Sequence, residues 1–303
     1  MDLVESVVSE NPNLRRKSIS RKYYTKRKSF LSNFSLTTKI ILINVILFIV
    51  SWIFLAFGNE SFFLKYFTLI PKEFFSGKVW TILTSMFLHL ALFHLFANMI
   101  SLFFLGNLSE KILGKKRFLI FYLASGIFAG LFYIALSYLF GSTELGARIV
   151  GGYSIPAIGA SGAIFGLVGV LAVLIPKNRI YLIVGPLIAI ISIPILAGIF
   201  QLFSINPGLL NVLDLVVNVY IMLSIFFMLS FNPRLRKIAL PLEMPFWVLP
   251  IVAIVPLTIV SFFVDLPIGN SAHLGGLIVG LGYGYYLKKK FPRKTRMLAR
   301  MFS

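Results

Sequence analysis

The 303-residue sequence contains no cysteine. Disulfide frameworks, thiol nucleophiles and Cys-ligated zinc or iron–sulfur sites are therefore excluded. Histidine is nearly as scarce at three residues, and Asp and Glu together number only ten. Any catalytic site must be assembled from this small stock. Charged residues make up 13% of the chain, against about a quarter in a soluble domain. What replaces them is apolar: 58% of the residues are hydrophobic and the mean hydropathy is +0.91. Neither an ordinary soluble globule nor a disordered chain has this composition.

The formal net charge is +19. On a soluble protein that would suggest nucleic acid; in an apolar chain it suggests basic loops on the cytoplasmic face of a membrane. Stretches long enough to span a bilayer, which takes ~20 mostly apolar residues, are expected at about 38–57, 86–106, 117–140, 157–175, 180–201, 211–230, 246–264 and 271–287. With the N-terminus inside, 25 of the 29 basic residues fall on the inner side. Only Lys65, Lys72, Lys78 and Arg148 lie outside. Eight spans with both ends cytoplasmic satisfy the positive-inside rule, and seven would place the basic C-terminal tail outside. The expected organisation is a basic tail at 1–37, a membrane domain at 38–287 and a second basic tail at 288–303. No apolar run follows the initiator, so a cleaved signal peptide is not expected, and Asp2, Glu5 and Glu10 argue against a transit peptide. A cell membrane, plasma or inner, is the expected location. The tails then need no nucleic-acid partner, and attraction to anionic headgroups is their modest extra role. The segment 58–85, with Phe62, Phe63, Phe67, Phe74, Phe75 and Trp80, is expected to lie partly in the membrane interface.

Polar residues inside spans are functional candidates. Ser161 lies in Gly159-Ala160-Ser161-Gly162, after the Gly- and Pro-containing stretch 151–156. Irregular backbone at that depth is tolerated only against protein or a water-filled cavity. A serine there also has two ordinary explanations, helix capping and close helix packing. His273 opens the last span, where Ala272, Gly276, Gly280 and Gly284 recur every four residues. They form a face without bulky side chains, matched by Gly162 and Gly166 in span four. If these faces meet, Ser161 and His273 enter from the same side, and a neutral imidazole is the usual base for a serine nucleophile. His94 and Asn98, at i and i+4, share a helix face. On a continuous helix His89 is about 140° away and outside that patch. Two histidines without a carboxylate make a poor metal site. Hydrogen-bond donation to an oxyanion is the favoured reading, with helix–helix adhesion as its alternative.

Together these residues resemble the rhomboid family of intramembrane serine proteases. The resemblance runs from about Trp80 to Gly284: Trp80 to His89, His94 and Asn98, the turn Gly106-Asn107-Leu108-Ser109-Glu110-Lys111-Ile112-Leu113-Gly114, the Gly-x-Ser-Gly at 159–162, and Ala272-His273-x-x-Gly276-x-x-x-Gly280. All three histidines of the chain fall on family positions. The resemblance implies a six-helix core, here with two additional spans in an all-α polytopic transmembrane bundle. It implies Ser161 as nucleophile, His273 as general base and acid, and His94 and Asn98 as oxyanion donors. His89 takes a supporting place near the first loop, and Glu110 a structural one. The implied activity is a serine endopeptidase acting in or near transmembrane segments of other membrane proteins, with the lipid bilayer as its medium and no metal or other cofactor. Two departures stand out: Thr81 replaces the arginine that often follows the tryptophan and organises the first loop, and three spans rather than one separate Ser161 from His273. Phe165, four residues after the serine, is placed to pack on His273. The alternative function is a non-catalytic protein of the same fold that binds and escorts membrane clients. A transporter built around Asp214 is weaker, since no inverted repeat accompanies it.

Overall fold

The structure is a computed structural model and describes residues 34–302 other than 59, 204–206, 229–232 and 264–268. The N-terminal basic stretch expected at 1–37 falls almost entirely outside the described residues. Helices stand at all eight expected places. Among the described residues, three are long and apolar enough to cross a membrane by length and composition: Leu36–Ala56, Leu92–Leu113 and Lys115–Phe140.

Helix α1 (Leu36–Ala56) begins where the Ser35 hydroxyl accepts the Thr38 N–H at 3.0 Å. The first N–H groups of a helix have no partner within it. Here the Glu110 carboxylate accepts the Leu36 N–H at 3.0 Å, the Thr37 N–H at 2.9 Å and the Thr37 hydroxyl at 2.9 Å. A Cβ at Gly106 would stand 2.7 Å from Thr37 Cγ2, and Gly114 turns the chain at φ +82°. The three motif residues at 106, 110 and 114 thus clear space for α1, cap it and reverse the chain. Short helices α2 (Glu60–Phe67), α3 (Pro71–Phe75) and α4 (Thr81–Thr84) follow. Phe62, Phe75 and Trp80 remain exposed while Phe63 is buried.

The second long helix departs from its expected bounds. Ser85–Phe87 is a 3-10 turn, and Leu88 and Ala91 are extended. Helix α5 (Leu92–Ser101) therefore starts six residues late, then runs through a π turn at Leu102–Gly106 into α6 (Asn107–Leu113). Helix α7 (Lys115–Phe140) and the short α8 (Glu144–Val150) lead to α9 (Ser161–Leu174). Eleven of the 14 residues of α9 are buried, which makes it the central helix of the bundle.

The next segment corrects the purely helical expectation. Residues Arg179–Ile183 form a strand, β1, instead of the start of a span, and pair antiparallel with β2 (Pro241–Pro245). Between the strands run α10 (Val184–Leu202), α11 (Pro207–Met228) and α12 (Pro233–Ile238). The Phe246 and Trp247 N–H groups donate to the Asn178 and Pro176 carbonyls at 2.8 and 3.2 Å. The ribbon and these bonds pinch off 179–245 at its base, and α13 (Leu249–Ser261) resumes where α9 ended. The excursion packs sideways: buried Ala189 and Ile221 lie against Phe93, Phe96 and Ile100 of α5. Of the four helices between the one that starts at Ser161 and α14 (Asn270–Lys290), α13 is the one next to α9 and to α14. A terminal helix, α15 (Pro292–Met301), closes the chain.

The two small-residue faces meet as the sequence suggests. A Cβ at Gly276 or Gly280 would collide with the Gly162 or Gly166 carbonyl, and one at Gly284 would lie 2.8 Å from Val173 Cβ. Gly169 belongs to the same contact, 2.7 Å from the Leu277 carbonyl by the same measure. Gly275 faces the other way, toward Phe132 and Ala129 of α7, so α14 is wedged between α7 and α9. Both α9 and α14 start at the same end of the bundle, with Ser161 and His273 in their first turns.

Candidate functional site

Ser161 is the first residue of α9, and Ala160 occupies the capping position without a side-chain hydrogen bond. The capping explanation for Ser161 therefore fails. Its Oγ lies 2.8 Å from His273 Nε2. Phe165 stacks on the His273 ring at 4.3 Å between centroids and 14° between planes. The imidazole is thus fixed on one face by an aromatic ring and at one edge by the hydroxyl. Ser161, Phe165 and His273 are each half-buried, so a ligand can reach them. The start of α14 is tied down on both sides of the histidine. The Ser271 hydroxyl donates to the Val150 carbonyl at 2.5 Å, and the Asn270 amide donates to Ser261 Oγ at 2.8 Å.

Gly159 carries φ +114°, a left-handed conformation that suits glycine. The space a side chain would need is also taken. A Cβ there would stand 2.7 Å from His94 Cε1 and 3.5 Å from Asn98 Nδ2. The imidazole and the amide of α5 therefore border the turn that delivers Ser161. The first-turn N–H groups of α9, which helix geometry leaves without an acceptor inside the helix, open at the same place.

His89 corrects the helical-wheel expectation. It precedes α5, in the non-helical stretch 88–91, so the 140° separation on a continuous helix does not apply. Its ring is fully buried and meets His94 edge-on at 4.9 Å. The Asn98 amide donates to His89 Nε2 at 3.1 Å and to the His94 carbonyl at 3.1 Å. His89, His94 and Asn98 therefore form one cluster that borders Gly159, two residues before Ser161, while His273 reaches Ser161 from α14. Among the described residues, no three His, Asp or Glu side chains gather as a metal cluster.

The first loop is held without an arginine at 81. Thr81 is buried, and its hydroxyl donates to the Lys78 carbonyl at 2.7 Å. Lys78 pairs with Glu73 and lies 5.2 Å from the Tyr66 ring centroid. Its hydrogen bond holds the Glu73 carboxyl below the ordinary carboxylate range. The Trp80 indole donates to the Tyr66 carbonyl at 2.9 Å. Leu69 and Ala157 exchange backbone hydrogen bonds at 3.1 and 2.8 Å, and the Gly159 N–H donates to the Ser85 carbonyl at 2.9 Å. The Tyr133 hydroxyl donates to the Ile155 carbonyl at 2.8 Å. These contacts fasten the turn before Ser161 to the first loop and to α7. Ser85, Tyr133, Asn270 and Ser271 carry no sequence signal for this task beyond their nearness to the motifs. Asp214 lies elsewhere, exposed on α11, and accepts from the Asn218 amide at 3.1 Å.

The Rhomboid domain model matches residues 76–219 and 220–290, more than half of the chain. The chain is 34% identical over 145 residues to Inactive RHOMBOID-like protein 8 of Arabidopsis thaliana, covering 47% of this chain and 35% of that protein. It is 35% identical over 127 residues to Rhomboid protein 1, mitochondrial, of Saccharomyces cerevisiae, covering 41% and 33%. It is 34% identical over 103 residues to Rhomboid protease GluP of Bacillus subtilis, covering 34% and 17%. The chain thus spans little more than a third, at most, of the length of each of these relatives. With the family match extending from the end of the first loop through the serine helix and the histidine helix, the chain belongs to the rhomboid family.

Proposed function

We propose that the protein is an intramembrane serine endopeptidase that cleaves transmembrane proteins in or beside their membrane segments. The observation that carries this reading is the 2.8 Å approach of Ser161 Oγ to His273 Nε2 beneath the Phe165 ring. In this reading His273 takes the hydroxyl proton as Ser161 Oγ bonds to the scissile carbonyl carbon. His94, Asn98 and the Ser161 N–H donate to the oxyanion that forms. His273 then returns the proton to the leaving amine, and a water activated by the same imidazole hydrolyses the acyl-enzyme. Neighbouring aromatic stacking and hydroxyl contact take the orienting role that an acid has in a triad.

The reading places eight crossings in the bilayer, with the tails at 1–37 and 288–303 on the cytoplasmic face. Helix α9 has 14 residues, roughly 21 Å of rise, against a hydrocarbon core of roughly 30 Å. With Leu174 near one interface, Ser161 lies below the other, where a client segment must unwind to present an extended bond. The sequence points to a plasma or inner membrane; the mitochondrial relative named above favours a mitochondrial membrane instead, and imaging the tagged full chain decides between them.

A second reading has one specific support, the 34% identity to a relative whose name begins with Inactive. It makes the protein a client-binding escort without catalysis. Labelling by a fluorophosphonate probe in membranes separates the two. Wild type is expected to label, and Ser161→Ala and His273→Ala to lose labelling while remaining folded. A folded wild type that does not label overturns the protease reading.

A further inference from the structure

We propose that the end of the bundle opposite Ser161 binds an anionic phospholipid, with its headgroup on the basic edge of α15 and an acyl chain in the cleft beneath. Helix α14 breaks at Phe291, and Pro292 starts α15 at a new angle. On a 100° wheel, Met297, Leu298 and Met301 fall in one sector, and Arg293, Arg296 and Arg300 in the adjoining one. Leu298 packs against the core, but Met297 and Met301 are 61% and 71% exposed, so two of the three apolar residues are not spent on it. The seven residues from Lys288 to Arg300 that carry charge are all basic.

Under α15 lies a cleft of about 330 Å³ whose walls include Ile112, Leu174, Leu287 and Leu298 and whose rim carries Arg117 and Lys294. Lys115 and Lys116 open α7 just before the lining residue Arg117, and Lys111 lies on α6 next to the lining residue Ile112. No carboxylate lines the cleft, and Glu110, the acidic residue in that turn, is committed to the start of α1. Apolar walls under a cationic rim fit an amphiphile with an anionic head. A soluble anion would leave the walls unused, and a zwitterionic lipid would leave the rim uncompensated. Basic residues at a membrane surface favour anionic lipid additively, and exposed methionines beside them favour insertion at the headgroup boundary. The site lies roughly 20 Å along α9 from Ser161 and is independent of the protease reading.

The test uses the full chain in phosphatidylcholine nanodiscs with and without a minority of phosphatidylglycerol, reading retained lipid by native mass spectrometry. Wild type is expected to retain phosphatidylglycerol selectively. The double variant Arg117→Gln/Lys294→Gln is expected to lose this preference by on the order of tenfold. Lys288→Gln/Lys289→Gln, which removes equal charge away from the cleft lining, is expected to change it much less. Equal loss in both variants, or no preference in wild type, overturns a built site. So does displacement of the bound lipid by water-soluble glycerol phosphate as readily as by a short-chain phosphatidylglycerol.

Discussion

The amide of Asn98 donates to the His89 ring and the His94 carbonyl while facing the turn before Ser161. Both Nδ2 hydrogens are thereby engaged, so the amide is oriented in advance but must release one acceptor, the His94 carbonyl of its own helix, to donate to an oxyanion. If the amide serves the transition state, Asn98→Ala lowers kcat by about 10²–10³ with KM nearly unchanged. It also leaves His89 Nε2 without its partner in a buried site, a loss of about 1–3 kcal/mol that a thermal melt would register. Peptide cleavage by the purified variant checks the assignment: a raised KM at unchanged kcat would make Asn98 a ground-state binding group instead. The pairing of Ser161 with His273, and of His94 with Asn98, was legible because spacing and small-residue faces fix which side chains converge. The place of His89 was not legible. An apolar run from Met86 onward reads as continuous helix, and nothing local marks the extended backbone at Leu88 and Ala91.

At the scale of elements, the approach of α9 and α14 is what makes the hydroxyl–imidazole distance attainable. Glycine at 276 lets the Gly162 carbonyl come close, and no side chain can share that space. Gly276→Val should therefore force the helices apart. Fluorophosphonate labelling is expected to vanish while circular dichroism stays helical. Gly282, on the same helix, has open space around its absent Cβ. Gly282→Ala should keep full labelling and raise helix stability by up to about 1 kcal/mol. Loss of labelling in both variants would show that α14 tolerates no change at all, and that the glycine face has no special role. The recurrence of glycine every four residues announced this contact. The ribbon of β1 and β2 gave no such notice. Arg179–Ile183 leads straight into an apolar run, and Pro241–Pro245 has no alternation to read, so only their pairing at the base of the excursion defines them as strands.

At the scale of the whole molecule, the excursion from β1 to β2 looks detachable. Its two ends are joined by the ribbon, with Ile183 opposite Pro241. Its packing on the rest of the bundle runs through Phe93, Phe96 and Ile100, on the flank of α5. In a bilayer those side chains would exchange protein for lipid, and lipid tails are as apolar as the groups they replace. Excising 184–240 and closing Ile183 to Pro241 through a two-residue Asn-Gly turn suits a tight antiparallel hairpin. The shortened chain is expected to fold and to keep fluorophosphonate labelling, while the set of membrane clients it cleaves or captures changes. That outcome would make the hairpin a lateral docking surface attached to a self-sufficient core. A folded excision variant that no longer labels would place the hairpin in the support of α5, and hence of His94 and Asn98. An unchanged client set would leave it with neither role, since shielding or docking must alter what reaches Ser161.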